Sequence, residues 1–200
     1  ENAPGDPRQY TAYNVNGAGQ ASSDCGVTFV TVDLPAGLYA YEFKSTITVA
    51  KPNLTHTVGV WATRVVDDKT YVANTNYNFV PSGAAVVTER KLLDQNACNA
   101  CHGTLEAHGG SRRDVNLCVL CHTPQSTDPE SGNTVDFKVM VHKIHRGKDL
   151  PSVVAGGTYE LIGFQGSVND YSTVGYPQDL RTCETCHAGV QKDFWNQRPS

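Results

Sequence analysis

The stretch CNACHGTLEAHGGSRRDVNLCVLCH (98–122) contains two copies of the pattern C-x-x-C-H, and CETCH (183–187) is a third. This pattern is the attachment signature of a c-type haem. Two thiols one helical turn apart can form thioethers with one porphyrin edge, and the adjacent imidazole can then ligate the iron. A structural zinc site or a redox dithiol would not need a histidine directly after the second cysteine. The sequence therefore predicts three covalently attached haem c groups, with anchors Cys98, Cys101, Cys118, Cys121, Cys183 and Cys186 and proximal ligands His102, His122 and His187.

Four of the 7 histidines remain as candidates for the sixth position of iron, because the single methionine falls on the apolar stripe of a predicted helix. His142 and His145 stand at i and i+3 in VHKIH, so one helix could present them to two different haems but not to one iron. His108 precedes two glycines, which leave room for a macrocycle, and it lies too close to His102 to reach round the same porphyrin comfortably. His56 is interpreted as a strand-edge residue. The predicted distal ligands are His108, His142 and His145.

Iron that is saturated by two histidines has no vacant position for a substrate, and it exchanges single electrons with little change of geometry. The sequence therefore predicts a non-enzymatic electron carrier with closely packed haems. One alternative is a multihaem reductase with one open-coordinate haem, beside which Arg112, Arg113 or Lys143 would bind the substrate. A second alternative is a structural subunit of a cytochrome filament.

Composition and periodicity divide the chain into three parts. Residues 1–22 are rich in Gly, Pro and Asn and are predicted to be an N-terminal arm or linker. Residues 23–84 alternate with period two over 27–32, 38–50, 58–66 and 71–79, which predicts a small antiparallel β domain, either a sandwich or a split barrel. Residues 85–200 are predicted to form a mostly irregular, sparsely α-helical multihaem cytochrome domain, with helices over 86–101, 135–146 and 180–190.

The formal net charge is −4 before any haem propionates are counted. This charge argues against nucleic acid as a partner and favours cationic patches on other redox proteins. Because covalent haem attachment takes place outside the cytoplasm, we expect a mature or excised fragment of an exported protein. No run of apolar residues is long enough for a transmembrane segment. The seventh cysteine, Cys25, is either a free buried thiol or half of a disulfide.

Three runs resemble the multihaem OmcA/MtrC-type outer-membrane cytochromes: LLDQNACNACHGTLEAHGGSRRDVNLCVLCHTPQ, FKVMVHKIHRGKDLP and YPQDLRTCETCH. The resemblance as a whole covers about residues 85–200. The resemblance implies haem domains that alternate with β-barrel-like domains. It also implies extracellular respiration, with electrons passed to metal oxides, flavins or partner cytochromes, and an outer-membrane porin–cytochrome complex as a partner. The implied location is the cell surface or the extracellular space, with the periplasm as the alternative. The bis-histidine pattern of the family carries onto His102, His122, His187, His108, His142 and His145.

The chain departs from this family in one respect. A haem domain of the family typically holds five haems, whereas this sequence has three C-x-x-C-H motifs. We therefore expect either a fragment of a larger cytochrome or a shortened three-haem relative.

Overall fold

The structure is a computed structural model that describes residues 9–24, 29–44, 46, 48–87 and 89–190. Cys25 lies outside the described residues, and so do parts of the predicted strands over 27–32 and 38–50. In the part of the chain that is described, no helix has the length and apolar character needed to cross a bilayer.

The N-terminal part contains two antiparallel hairpins. Strands β1 (Phe29–Asp33) and β2 (Leu38–Tyr41) form the first, and β3 (His56–Val66) and β4 (Lys69–Phe79) form the second. The second hairpin turns at Asp67 and Asp68, which both have positive φ (48° and 61°). Such a turn matches the right-handed twist of paired strands. The antiparallel β structure is confirmed, but the described strands pair as separate two-stranded ladders and not as the predicted sandwich or split barrel.

The predicted strand over 38–50 is too long, because β2 ends at Tyr41. The Asp24 carboxylate accepts a hydrogen bond from the Lys44 amide at 2.9 Å, so this amide does not continue the ladder with β1. The predicted strands over 58–66 and 71–79 are confirmed, each with a slightly earlier start.

Short helices and turns make up most of the second half. Two further strands, β5 (Glu160–Ile162) and β6 (Val168–Asp170), form a small antiparallel ladder, and 3-10 turns lie at Gly147–Asp149 and Phe164–Gly166. The helices are α1 (Gln95–His102), α2 (Val115–Cys121), α3 (Phe137–Arg146), α4 (Pro151–Val154) and α5 (Glu184–His187). The structure thus shows a sparsely helical region with long irregular connections.

Aspartate side chains decide where the three longer helices begin. Asp94, Asp114 and Asp136 each cap a helix by accepting a hydrogen bond from the backbone amide two residues later. Asp94 has extended backbone angles (φ −102°, ψ 127°), so it also ends the helix on its N-terminal side. The predicted helix start at residue 86 is therefore wrong, and the helix begins at Gln95. The predicted helix over 135–146 is confirmed as α3. The predicted helix over 180–190 is too long, because the helix found there, α5, spans only Glu184–His187.

Two small apolar clusters hold the elements together. Val115 and Leu117 of α2 are buried, and α2 packs against the β3–β4 hairpin. Leu150, Tyr159 and Leu161 form the second cluster. The apolar stripe of α3 packs on this second cluster through Met140 and Ile144, with Val135, Val153 and Tyr171 around it.

The contact between α2 and the hairpin depends on Gly59. A Cβ atom at this position would lie 2.5 Å from Leu117 Cδ1 and 2.6 Å from Leu120 Cδ1. These distances are far below ordinary carbon–carbon contact, which is about 3.5–4.0 Å. Only glycine permits this approach, which places the second C-x-x-C-H motif directly on the hairpin.

Candidate metal centres

The six predicted ligand histidines form three pairs in space. The ring centroids of His102 and His145 lie 6.0 Å apart, and those of His108 and His122 lie 5.9 Å apart. The third pair is His142 with His187, at 6.2 Å. Each pair joins the histidine of one C-x-x-C-H motif to one of the predicted distal histidines.

These separations fit a metal ion between two imidazoles. A metal–nitrogen bond is about 2 Å long, and the nitrogen lies about 1.1 Å from the centre of its ring, so the two centroids of a linear bis-imidazole site are about 6.2 Å apart. All three pairs fall within about 0.3 Å of this value. The residues present therefore fit a haem iron at each pair.

Backbone carbonyls orient four of the six imidazoles. His122 Nδ1 donates to the Val135 carbonyl at 2.8 Å, and His187 Nδ1 donates to the Leu92 carbonyl at 2.9 Å. Within α3, Nδ1 of His142 and of His145 donates to the carbonyl four residues earlier. A carbonyl can only accept, so the proton lies on Nδ1 and the lone pair of Nε2 is left for a metal.

The pKa values of two of these imidazoles favour the neutral form that a ligand requires. Burial lowers the pKa of His122 below its ordinary value, and the hydrogen bond to the Val135 carbonyl offsets this only in part. Burial, and then the Arg112 guanidinium, lower the pKa of His108.

Three of the motif thiols have raised pKa values, whereas the pKa values of the two imidazoles are lowered. Burial raises the pKa of Cys118 to about 11, and burial also raises the pKa of Cys98 and of Cys121. No three histidine, cysteine or acidic side chains converge as a metal-binding cluster anywhere in the described residues. The thiols therefore fit thioether anchors better than a zinc site.

The first motif lies near both of the other motifs. Helix α1 packs against α5, and the thiols of Cys98 and Cys186 are close enough for one to raise the pKa of the other. Cys98 acts in the same way on Cys118 of the second motif. The ring of Tyr176 contacts the ring of His145 edge-on at a centroid distance of 5.6 Å, beside the first and third motifs.

Two other residues that the sequence analysis considered, His56 and Lys143, have protein partners of their own. His56 is buried, its Nδ1 donates to the Leu54 carbonyl at 2.8 Å, and its Nε2 lies 3.2 Å from the Tyr13 hydroxyl. Lys143 donates to Asn133 Oδ1 at 3.1 Å and lies over the Tyr159 ring at 4.1 Å. His56 therefore has a structural role, and the Lys143 ammonium is bound by Asn133 and Tyr159.

The two arginines named for an open-coordinate haem also have protein partners. Arg113 pairs with Glu106 at 3.0 Å, and the Arg112 guanidinium lies over the Trp61 ring at 3.8 Å. Both arginines nevertheless flank the loop that carries His108, so they lie beside one histidine pair.

Sequence reasoning missed the groups around the imidazoles. The carbonyls of Leu92 and Val135 orient two ligands, yet a carbonyl leaves no trace in the residue pattern. Tyr176 was missed as well, although its position in the run YPQDLRTCETCH, shortly before the third motif, was a signal that could have found it.

Comparison with known proteins gives consistent results. The family model described as "Outer membrane cytochrome MtrC/MtrF-like, domains II/IV" matches residues 90–199. The multiheme cytochrome MtrC of Shewanella baltica (strain OS185) is 32% identical over an alignment of 180 residues, and this alignment covers 84% of this chain and 22% of that protein. The crystal structure of the outer membrane decaheme cytochrome OmcA matches with a TM-score of 0.54 and 32% identity, over 67% of this chain and 21% of that one. The chain thus spans about a fifth of the length of each relative.

Proposed function

This chain belongs to the MtrC/MtrF-like outer membrane cytochromes, and from that premise we propose that it transfers electrons through three closely packed bis-histidine haem c groups. The observation that carries the proposal is the set of three histidine pairs, whose centroid separations of 5.9–6.2 Å suit one iron each. When bound, each haem supplies one-electron exchange between ferric and ferrous iron.

The residues of the chain have distinct parts in this proposal. The six motif cysteines anchor the porphyrins by thioethers. The ligand pairs are His102 with His145, His122 with His108, and His187 with His142. The carbonyls that bind Nδ1 hold the imidazoles in one orientation, so electron exchange requires little movement of the protein. A pair of protein ligands at each iron also keeps substrates away from the metal.

The arrangement of the motifs supports a relay. Because Cys98 is close to both Cys118 and Cys186, the first site lies beside the second and the third. Helix α3 contributes His145 to the first site and His142 to the third, so a single rigid element links them.

The wider role of the chain is also a proposal. Residues 23–84 would form the β domain and 85–200 the haem domain, with 1–22 as an arm. The multiheme cytochrome MtrC and the outer membrane cytochrome OmcA suggest a location at the outside of the outer membrane. Partner cytochromes, a porin–cytochrome complex, flavins and metal oxides are the partners and acceptors that we propose there.

Haem content and spin state test the proposal directly. The chain is to be produced in a host that attaches haem c, and the mass of the purified protein is to be measured together with its optical and EPR spectra. We expect the mass of three haems, low-spin ferric iron throughout, and no stoichiometric binding of carbon monoxide after reduction. A substantial high-spin signal would favour the reductase alternative, and a colourless protein would refute the proposal.

A further inference from the structure

The loop that carries His108 has an unusual backbone. It connects α1 to α2, and His108, Gly109 and Gly110 follow one another with positive φ (51°, 69° and 79°). Positive φ suits glycine, but it is a strained conformation for a residue with a side chain. His108 therefore stays in this conformation only because other contacts hold it there.

Contacts within the loop preserve its shape but do not fix its position. Ala107 and Arg112 form a bridge through their backbone amides and carbonyls, at 2.9 and 3.2 Å. The Ser111 hydroxyl donates to the His108 carbonyl at 2.8 Å. Both partners of each contact belong to the loop, so the loop could move as a unit and carry His108 away from His122.

The Leu105 amide donates to Asn99 Oδ1 of α1 at 2.8 Å on the N-terminal side of His108, and the β3–β4 hairpin supplies the attachment on the C-terminal side. Asn74 Oδ1 accepts hydrogen bonds from the backbone amides of Arg113 (2.6 Å) and Asp114 (3.2 Å), and its Nδ2 donates to the Ser111 carbonyl at 3.0 Å. Asn74 thus binds the backbone of residues 111–114, immediately after the positive-φ residues, through both the oxygen and the nitrogen of its side-chain amide.

Trp61 strengthens this attachment from the neighbouring strand. It is the cross-strand partner of Asn74, so the two side chains share one face of the hairpin. The Arg112 guanidinium lies over the Trp61 ring at 3.8 Å, within the range of a cation–π interaction. One rung of the hairpin therefore contacts four consecutive residues of the loop, 111–114.

We propose that Asn74, supported by Trp61, is a positioning residue that holds His108 opposite His122. The β3–β4 hairpin is then more than a scaffold, because it sets the strength of the distal ligand at the second C-x-x-C-H site. This inference rests on the proposed function, since it takes the pair of His108 and His122 as haem ligands.

The test compares Asn74→Ala with Asn78→Ala in the haem-loaded protein. Asn78 is a matched control because it lies on the same face of β4, while its Oδ1 accepts from Thr57 Oγ1 (2.7 Å) within the hairpin itself. Two quantities are measured: the rate at which carbon monoxide binds after reduction, and the high-spin content by EPR. Carbon monoxide can bind only when a distal histidine leaves the iron, so its rate reports on ligand release.

Asn74→Ala is expected to accelerate carbon monoxide binding about tenfold at one haem of the three, with high-spin iron confined to that haem. Asn78→Ala is expected to change neither quantity. Asn74→Asp retains the acceptor for Arg113 and Asp114 but loses the donor to Ser111, so its effect should be intermediate. This second variant also keeps the test decisive if Asn74→Ala does not mature.

The remaining outcomes distinguish a failure of the inference about Asn74 from a failure of the proposed function. Equal carbon monoxide kinetics in the Asn74 and Asn78 variants would overturn the inference, and so would a disturbance shared by all three haems. Fewer than three haems in the unmodified protein, or open iron at all of its sites, would instead contradict the proposed function.

Discussion

Gly59 offers a quantitative test of how the haem-bearing half is attached to the hairpin. In Gly59→Ala the new methyl group would lie 2.5 Å from Leu117 Cδ1, 2.6 Å from Leu120 Cδ1 and 3.0 Å from Asn76 Oδ1. Leu117 is 3% exposed, so it has no solvent space into which its side chain could rotate. Relief therefore requires a shift of about 1 Å by the Leu117 and Leu120 side chains or by α2 itself, since carbon–carbon contact lies near 3.5–4.0 Å.

Overpacking of this kind costs about 1–3 kcal/mol. We expect Gly59→Ala to lower the free energy of unfolding by about 2 kcal/mol, which corresponds to a fall in Tm of about 4–8 °C for a chain of this size. Thermal and denaturant unfolding of the haem-loaded protein measure this loss. The second C-x-x-C-H motif lies on α2, so the unfolding of its surroundings should be affected first.

Gly17→Ala is the matched control, because a Cβ at Gly17 would meet no atom within 4 Å and φ there is not positive. This substitution should leave stability unchanged or raise it slightly. Adding Leu120→Ala to Gly59→Ala removes one of the two overlaps, so the double variant should be more stable than the sum of the single losses. If Gly59→Ala unfolds within about 0.5 kcal/mol of the unmodified protein, or if the double variant is additive, the packing argument is wrong.

Three further predictions follow from the histidine pairs and from two aspartates. His142→Ala and His145→Ala should each convert a different single haem to high spin, which EPR spin quantitation measures, because α3 presents the two rings to different partners. Burial raises the pKa of Asp128, but hydrogen bonds from the Ile162 amide, Ser131 and Glu130 outweigh it and hold this pKa at about 2. The carboxylate should therefore contribute about 2 kcal/mol above pH 4, and this contribution should disappear as pH falls to 2, as unfolding of Asp128→Asn against the unmodified protein would show. Asp68→Gly should raise the free energy of unfolding by about 0.5–1 kcal/mol, since Asp68 has a φ of 61°.

A specific experimental result would contradict each of these predictions. One histidine substitution that alters two haems, or none, would contradict the geometry of α3. If the stability difference of Asp128→Asn were the same at pH 2 and pH 6, the carboxylate would not be held in its charged form by the fold. A destabilised Asp68→Gly variant would mean that the Asp68 side chain contributes more than its backbone strain costs.

The elements that the sequence predicted well are those with local causes. The spacing of His142 and His145 placed them correctly on one helix, since an α-helix of that apolar periodicity permits few other arrangements. The strands β3 and β4 were equally clear, because alternation over 11 residues is rarely compatible with another structure.

Elements that depend on long-range contacts were predicted poorly. One local feature was also missed, because the helix begins at Gln95 after the capping residue Asp94, which periodicity alone does not identify. Alternation of apolar and polar residues predicts which face of a strand is buried, but it does not predict which strand is its partner. The separation of these strands into two hairpins could therefore not be predicted. The role of Asn74 was invisible for the same reason, because its partners lie 37–40 residues away.

The third histidine site has a consequence for the biogenesis of the protein. His187 donates to the carbonyl of Leu92, 95 residues earlier, whereas His122 is oriented by Val135, only 13 residues away. As the chain is synthesised from its N-terminus, the surroundings of His122 can thus be completed before the CETCH motif (183–187) has been made. The site of His187 must close last, at the greatest entropic cost of loop formation. Truncation before residue 183 would remove this site and leave the surroundings of His122 intact.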